Sequence, residues 1–193
     1  MPNAGERVAV VMEGESYSRR GYDSRRMART GAHVPLEVRT PSGAVTILAR
    51  DGAEAERLRT RIDAYLAGAH DDFGDVPVPA GTDFQRACWA ACRTIPRGET
   101  RSYAWLAAAA GSPGAARAAG QAMRRNPMPI VVPCHRVVGA GRWIGGYSGE
   151  ARTDGSMIGI KVVLLQLETD RADIRSLTNI GALRRATQEN IAT

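Results

Sequence analysis

The sequence predicts an α/β protein in two parts. A small N-terminal sheet-plus-helix domain spans residues 1–78, and a mostly helical domain with a helix-turn-helix spans 79–193. Three observations carry this division. The stretch "VPLEVRTPSGAVTILAR" (34–50) places two β-type runs around a Pro-Ser-Gly turn, which is a hairpin signal. The stretch "AHDDFGDVPVPAG" (69–81) is acidic and then rich in Pro and Gly, so it reads as a linker. Beyond it, residues 102–126 hold two short helical patterns on either side of a tight glycine-containing turn.

The elements follow in order. "VAVVM" (8–12) reads as a strand, and the polar stretch 13–31 after it reads as a loop. The hairpin is followed by the stretch 53–68, which places Leu58, Ile62, Tyr65 and Leu66 on one helical face, with Gly68 past the helix end. After the linker, Phe84, Cys88, Ala91, Cys92 and Ile95 recur at helical spacing over 82–95. That pattern makes Cys88 and Cys92 core residues by default, since a metal site would need more ligands than lie nearby. Ser102 can cap a first short helix ending at Gly111, and Ser112 a second with Pro113 at its first position. The second is rich in Ala and Gly, which suits close approach to a partner and ordinary helix packing alike.

Composition narrows the class. Apolar residues make up 44% of the chain, which indicates a globular protein. No apolar run is long enough to span a membrane, and "MPNAGERVAV" has no secretory character. Three cysteines cannot make a paired framework, so reduced thiols in the cytoplasm are expected. Charge is uneven: from Phe84 to Arg142 there are nine arginines against one acid, Glu99, a window charge of +8 in a chain of net +6. A basic half suggests a polyanionic partner, because arginine neutralises phosphates and releases counterions. An Arg-rich soluble surface would look the same, as the chain has 25 Arg and a single Lys.

One stretch carries chemistry. In "IVVPCHRVVG" (130–139), Cys134 and His135 are adjacent behind a proline. A buried thiol in a core strand and a nucleophile with its activating base both fit this pattern. A free thiol has a pKa of about 8.5 and needs a base or a positive field to become a strong nucleophile. On extended backbone, adjacent side chains point apart.

The order helix-turn-helix, "NPMPIVVPCHRVV", "GAGRWIGGYSGE" and "IKVVLLQLE" closely resembles the O6-alkylguanine-DNA alkyltransferases, direct-reversal DNA repair proteins. The resemblance covers roughly residues 82–168. It implies irreversible transfer of the alkyl group of O6-alkylguanine, and of O4-alkylthymine, from double-stranded DNA to Cys134. Each molecule would react once, without a cofactor, because the product is a stable thioether. His135 would activate the thiol through a water and be oriented by Glu168. Tyr103 would donate to the leaving base's ring nitrogen, and Asn126 would tie the helix-turn-helix to the reactive segment. Tyr147 and Ser148 match the loop that closes on the guanine. Carbonyls of Cys134 and of Val137 or Val138 would accept from its exocyclic amine.

The target atom lies inside the duplex, so the base must be flipped out. Arg117 matches the arginine that fills the vacated stack. Ser102, Ala118, Gly120, Gln121 and Arg124 match the DNA-contacting surface, with the small residues of the 114–125 helix approaching the minor groove. The resemblance further implies a monomer capable of cooperative binding on DNA. The segment between Ser148 and Lys161 is several residues longer than is usual in the family, and Glu150 stands where Gly is common. The N-terminal part has no cysteine for the structural zinc of some relatives. A lesion sensor of the alkyltransferase-like kind would carry Trp at position 134, and a cysteine hydrolase would leave the basic helix-turn-helix idle.

Overall fold

The structure, a computed structural model, describes residues 10–11, 33–40, 43–144 and 156–169. Strand β1 (Val10–Val11), β2 (Val34–Thr40) and β3 (Gly43–Ala49) form an antiparallel sheet in that order. Leu36, Val38, Val45 and Ile47 are buried, as expected when alternate residues of a strand face the core. Helix α1 (Gly52–Leu66) starts at Asp51, whose side chain accepts from the Glu54 N–H at 2.8 Å. Its predicted face, Leu58, Ile62, Tyr65 and Leu66, is buried. Gly68 follows at φ 104°, a left-handed conformation that glycine adopts without strain.

The predicted linker is a packed connection. Phe73 and Val76 are buried within it, and Arg61 on α1 reaches Asp71 and Asp75. Arg93 donates to the carbonyls of Phe73 and Val76 from the next helix. Asp71 and Asp72 accept from the Phe73 and Gly74 N–H groups and set the turn, while two buried apolar side chains and an arginine from either side hold the stretch down.

Helix α2 (Asp83–Arg93) opens with a capping box. Gln85 N–H donates to the Thr82 hydroxyl oxygen at 3.3 Å, and Thr82 N–H donates to Gln85 Oε1 at 2.9 Å. Cys88, Trp89 and Cys92 are buried, and the Trp89 indole N–H donates to the Ala122 carbonyl at 3.0 Å. This bond ties α2 to the second helix of the helix-turn-helix.

Strand β4 (Arg101–Ser102) leads into α3 (Tyr103–Ala109), capped by Ser102 through the Trp105 N–H as the sequence predicts. The second helix, α4 (Ala116–Arg124), begins later than predicted and has no side-chain cap. Ser112 does not cap it. Instead Ser112-Pro113-Gly114-Ala115 makes a turn, with Gly114 at φ 87° and the Ala115 N–H on the Ser112 carbonyl at 3.1 Å. Pro followed by a left-handed Gly is the type II turn pattern, and its geometry postpones the helix.

The chain then passes Asn126 to the reactive segment, with Leu48 N–H of β3 donating to the Pro127 carbonyl at 2.9 Å. Strand β5 (Val137–Val138) pairs in parallel with β4, Arg101 opposite Val137 and Ser102 opposite Val138. The start of α3 and the reactive segment are therefore side by side. Helix α5 (Ser156–Glu168) closes the structure, with Ile158, Ile160, Lys161, Leu164 and Leu165 buried.

Candidate active site

Pro133 determines how the chain enters the site. Its φ of −79° and ψ of 61° form an inverse γ-turn, which sends the Cys134 N–H back to the Val132 carbonyl at 2.8 Å. Cys134–Arg136 then forms a 3-10 turn. The expectation of extended backbone here is thus corrected. The Arg136 N–H closes the turn on the Pro133 carbonyl at 2.9 Å, a pairing that a straight strand would not allow.

Cys134 is 6% exposed, so its sulfur sits almost entirely within protein. Asn126 Nδ2 donates to Sγ at 3.3 Å and to the Val132 carbonyl at 2.9 Å, while Asn126 Oδ1 accepts from the Met128 N–H at 3.0 Å. A donor aimed at sulfur favours the thiolate, the better acceptor. Burial raises the other two thiols, Cys92 well above its ordinary range, so both stay protonated.

His135 is fully buried, with Nε2 at 2.8 Å from Glu168 Oε1. Because the carboxylate only accepts, Nε2 carries the hydrogen. The other ring nitrogen, Nδ1, is buried with no hydrogen-bond partner among the described residues. Burial lowers the imidazole pKa and outweighs the upward pull of Glu168, so the ring is neutral near pH 7. Nδ1 is then the atom left to accept a proton.

Glu168 is held from several sides. Arg136 grips it with Nε at 2.9 Å from Oε2 and Nη2 at 2.8 Å from Oε1, and spends Nη1 on the Ile95 carbonyl at 2.7 Å. The Tyr65 hydroxyl also donates to Oε1. Burial opposes ionisation, but the His135 and Arg136 donors prevail and hold this carboxyl well below the usual range.

Two further groups border the sulfur. Lys161 is fully buried, and its Nζ donates to the Val137 carbonyl at 2.7 Å. Burial pushes its pKa down to about 8, while the Cys134 and Cys92 sulfurs pull it back up. Tyr103, half-buried, packs over Gly120 of α4. Its phenol is pushed up to about 12 by burial and then by the nearby Cys134 sulfur, so it is a proton donor at neutral pH.

The structure therefore gathers Cys134, His135, Glu168, Asn126 and Tyr103. It sets Arg117, Ala118, Gln121 and Arg124 along the exposed face of α4, with Gly120 half-buried and Ser102 at the N-terminus of α3. The Cys134 carbonyl accepts from the Val137 N–H and the Val137 carbonyl from Lys161, and each keeps a second lone pair. Tyr147 and Ser148 lie outside the described residues, as do 149–155 and the chain from 170 onward. Among the described residues no group of three or more His, Cys, Asp or Glu could hold a metal ion, and no helix is long and apolar enough to cross a membrane.

Sequence reasoning passed over Tyr65, Arg136 and Lys161 as members of the site. Tyr65 reads as a core position of an amphipathic helix. Arg136 stands inside the recognised motif with no role given. Lys161 has a signal in hindsight: the single lysine of an Arg-rich chain lies in the apolar run "IKVVLLQL".

The chain is similar to known proteins in sequence and in fold. Residues 83–169 match the family model of the 6-O-methylguanine DNA methyltransferase DNA binding domain. A methylated-DNA–protein-cysteine methyltransferase of Mycobacterium leprae is 45% identical over 131 residues, covering 68% of this chain and 74% of that protein. The constitutive enzyme of that name from Bacillus subtilis is 46% identical over 116 residues, 60% of this chain and 65% of its own. The crystal structure of Mycobacterium tuberculosis OGT in complex with DNA superimposes with a TM-score of 0.57 at 37% identity, covering 72% of this chain and 96% of that one. With this extent of identity and coverage, the chain belongs to the methylated-DNA–protein-cysteine methyltransferase family.

Proposed function

We propose that this protein repairs DNA by direct reversal, moving the alkyl group of O6-alkylguanine, and of O4-alkylthymine, from duplex DNA onto Sγ of Cys134. The observation that carries the reading is the pairing at one turn of a donor-backed sulfur with a buried His135–Glu168–Arg136 network. Transfer is a displacement at carbon. The Cys134 proton passes to His135 Nδ1, through a water as the family resemblance implies. Sulfur then bonds to the alkyl carbon as the carbon–O6 bond breaks, and its electron pair leaves with the base. Tyr103 donates to the base's ring nitrogen and regains a proton from His135, so the thiol's proton ends on the released guanine. The thioether has no easy exit, so the protein acts once, as a monomer and without a cofactor.

The exposed face of α4 carries Arg117, Ala118, Gln121 and Arg124, and suits close approach to the minor groove, with Tyr147 and Ser148 assigned to the loop over the base. The 79–193 part thus supplies the reaction and DNA contacts, and the 1–78 part supports it. The test is intact-mass and peptide analysis after incubation with O6-methylguanine duplex. One methyl per protein, on the Cys134 peptide, is expected; more demethylated sites than protein molecules would refute single use.

Arg117 separates base flipping from chemistry. Flipping costs a few kcal/mol, and about 1.4 kcal/mol is tenfold in an equilibrium. Arg117→Ala is therefore expected to slow repair of duplex by roughly tenfold or more. Reaction with free O6-benzylguanine, which needs no flipping, should be little changed. Equal slowing of both substrates would assign Arg117 to the pocket or the fold instead.

A further inference from the structure

The donors on Glu168 are not all from the reaction half. Its Oε1 accepts from His135 Nε2, from Arg136 Nη2 and from the Tyr65 hydroxyl. Tyr65 belongs to α1, more than a hundred residues earlier in the chain, and is 1% exposed. The Arg97 guanidinium lies over its ring, 5.1 Å from the centroid, and also donates to the Leu167 carbonyl at 3.1 Å. The phenol is thus fixed between α1 and the end of α5, and burial followed by the Glu168 charge keeps it protonated.

We infer that Tyr65 is a positioning residue for the proton relay: its hydroxyl shares Glu168 Oε1 with His135 and so sets how much carboxylate charge the imidazole receives. An acceptor's charge is divided among its donors. Arg136 holds the carboxylate in place through both oxygens, so loss of the phenol leaves Glu168 positioned and concentrates its charge on the remaining partners. Imidazolium at His135 is then better stabilised, and Cys134 gives up its proton at lower pH. The other charged or titratable groups facing this cluster are Arg136, Lys161 and Cys134 around His135, and Arg97 over Tyr65. Of these, Arg136 also borders the Tyr65 hydroxyl, and its two bonds to Glu168 remain after a Tyr65→Phe change. The N-terminal part thereby contributes to the chemistry, and not to stability alone.

This inference rests on the proposed reaction at Cys134. The experiment measures single-turnover alkylation of the full chain by O6-benzylguanine across pH, for the wild type, Tyr65→Phe and Leu66→Ala. For Tyr65→Phe the midpoint of the pH–rate curve is expected to fall by about half a unit, which makes the variant roughly threefold faster on the acid side. Leu66→Ala, a cavity in the same helix, should lower the unfolding temperature and leave the midpoint in place. A midpoint for Tyr65→Phe that is unchanged, raised, or accompanied only by uniform slowing would overturn the assignment. A wild-type protein that gains no benzyl mass on Cys134 would instead sink the reaction itself, and this inference with it.

Discussion

Cys134→Ala is expected to abolish alkyl transfer and leave affinity for duplex DNA unchanged. Two other thiols are present, but neither can substitute. Cys88 and Cys92 face the core of α2, and burial holds both in the protonated form. Only Cys134 has an amide donor on its sulfur and a buried base as its chain neighbour. Cys88→Ala and Cys92→Ala should keep one methyl per protein and lose roughly 1 kcal/mol each through the cavities they leave. Mass-mapped peptides decide the matter, since methyl on Cys88 or Cys92 in any variant would contradict the assignment.

Lys161→Met should slow transfer at pH 7 by about tenfold or more, because one unit in a thiol's pKa is tenfold in its thiolate fraction. A buried ammonium stabilises a nearby thiolate, and the attraction is mutual: the Cys134 sulfur raises the lysine. With a pKa of about 8, Lys161 is mostly charged at neutral pH. Removing the charge moves the midpoint of the pH–rate curve upward, so activity should recover in alkaline solution. Methionine matches the lysine stem and ends the cost of a buried charge, so thermal stability should be kept or improved. An unshifted midpoint in a well-folded Lys161→Met protein would remove the lysine from the reaction.

Local patterns were readable where the physics is local. The buried face of α1, the Ser102 cap and the hairpin follow from spacing and turn residues close in sequence. The Ser112 cap failed because a cap motif and a type II turn use the same residues, and Gly114 decided for the turn. The reactive turn was misread as extended because apolar flanks dominate its pattern, while Pro133 bends the chain just before the sulfur. Within the site, Cys134, His135 and Asn126 lie within ten residues, and their motif shows in the sequence. Tyr65, Arg97 and Lys161 reach the same carboxylate, ring and carbonyl from distant elements. No spacing rule links residues whose partners are set only by packing.

The chain's single lysine is fully buried in α5. A protease that cuts only after lysine therefore has one target, and reaches it only when α5 leaves the core. Alkylation turns the neighbouring sulfur into a neutral thioether and removes the negative charge that supports the buried ammonium. A buried charge that loses its counter-charge weakens its surroundings. The spent protein should accordingly be cut faster than the unreacted one at equal temperature, and the single cut would mark each molecule that has done its work.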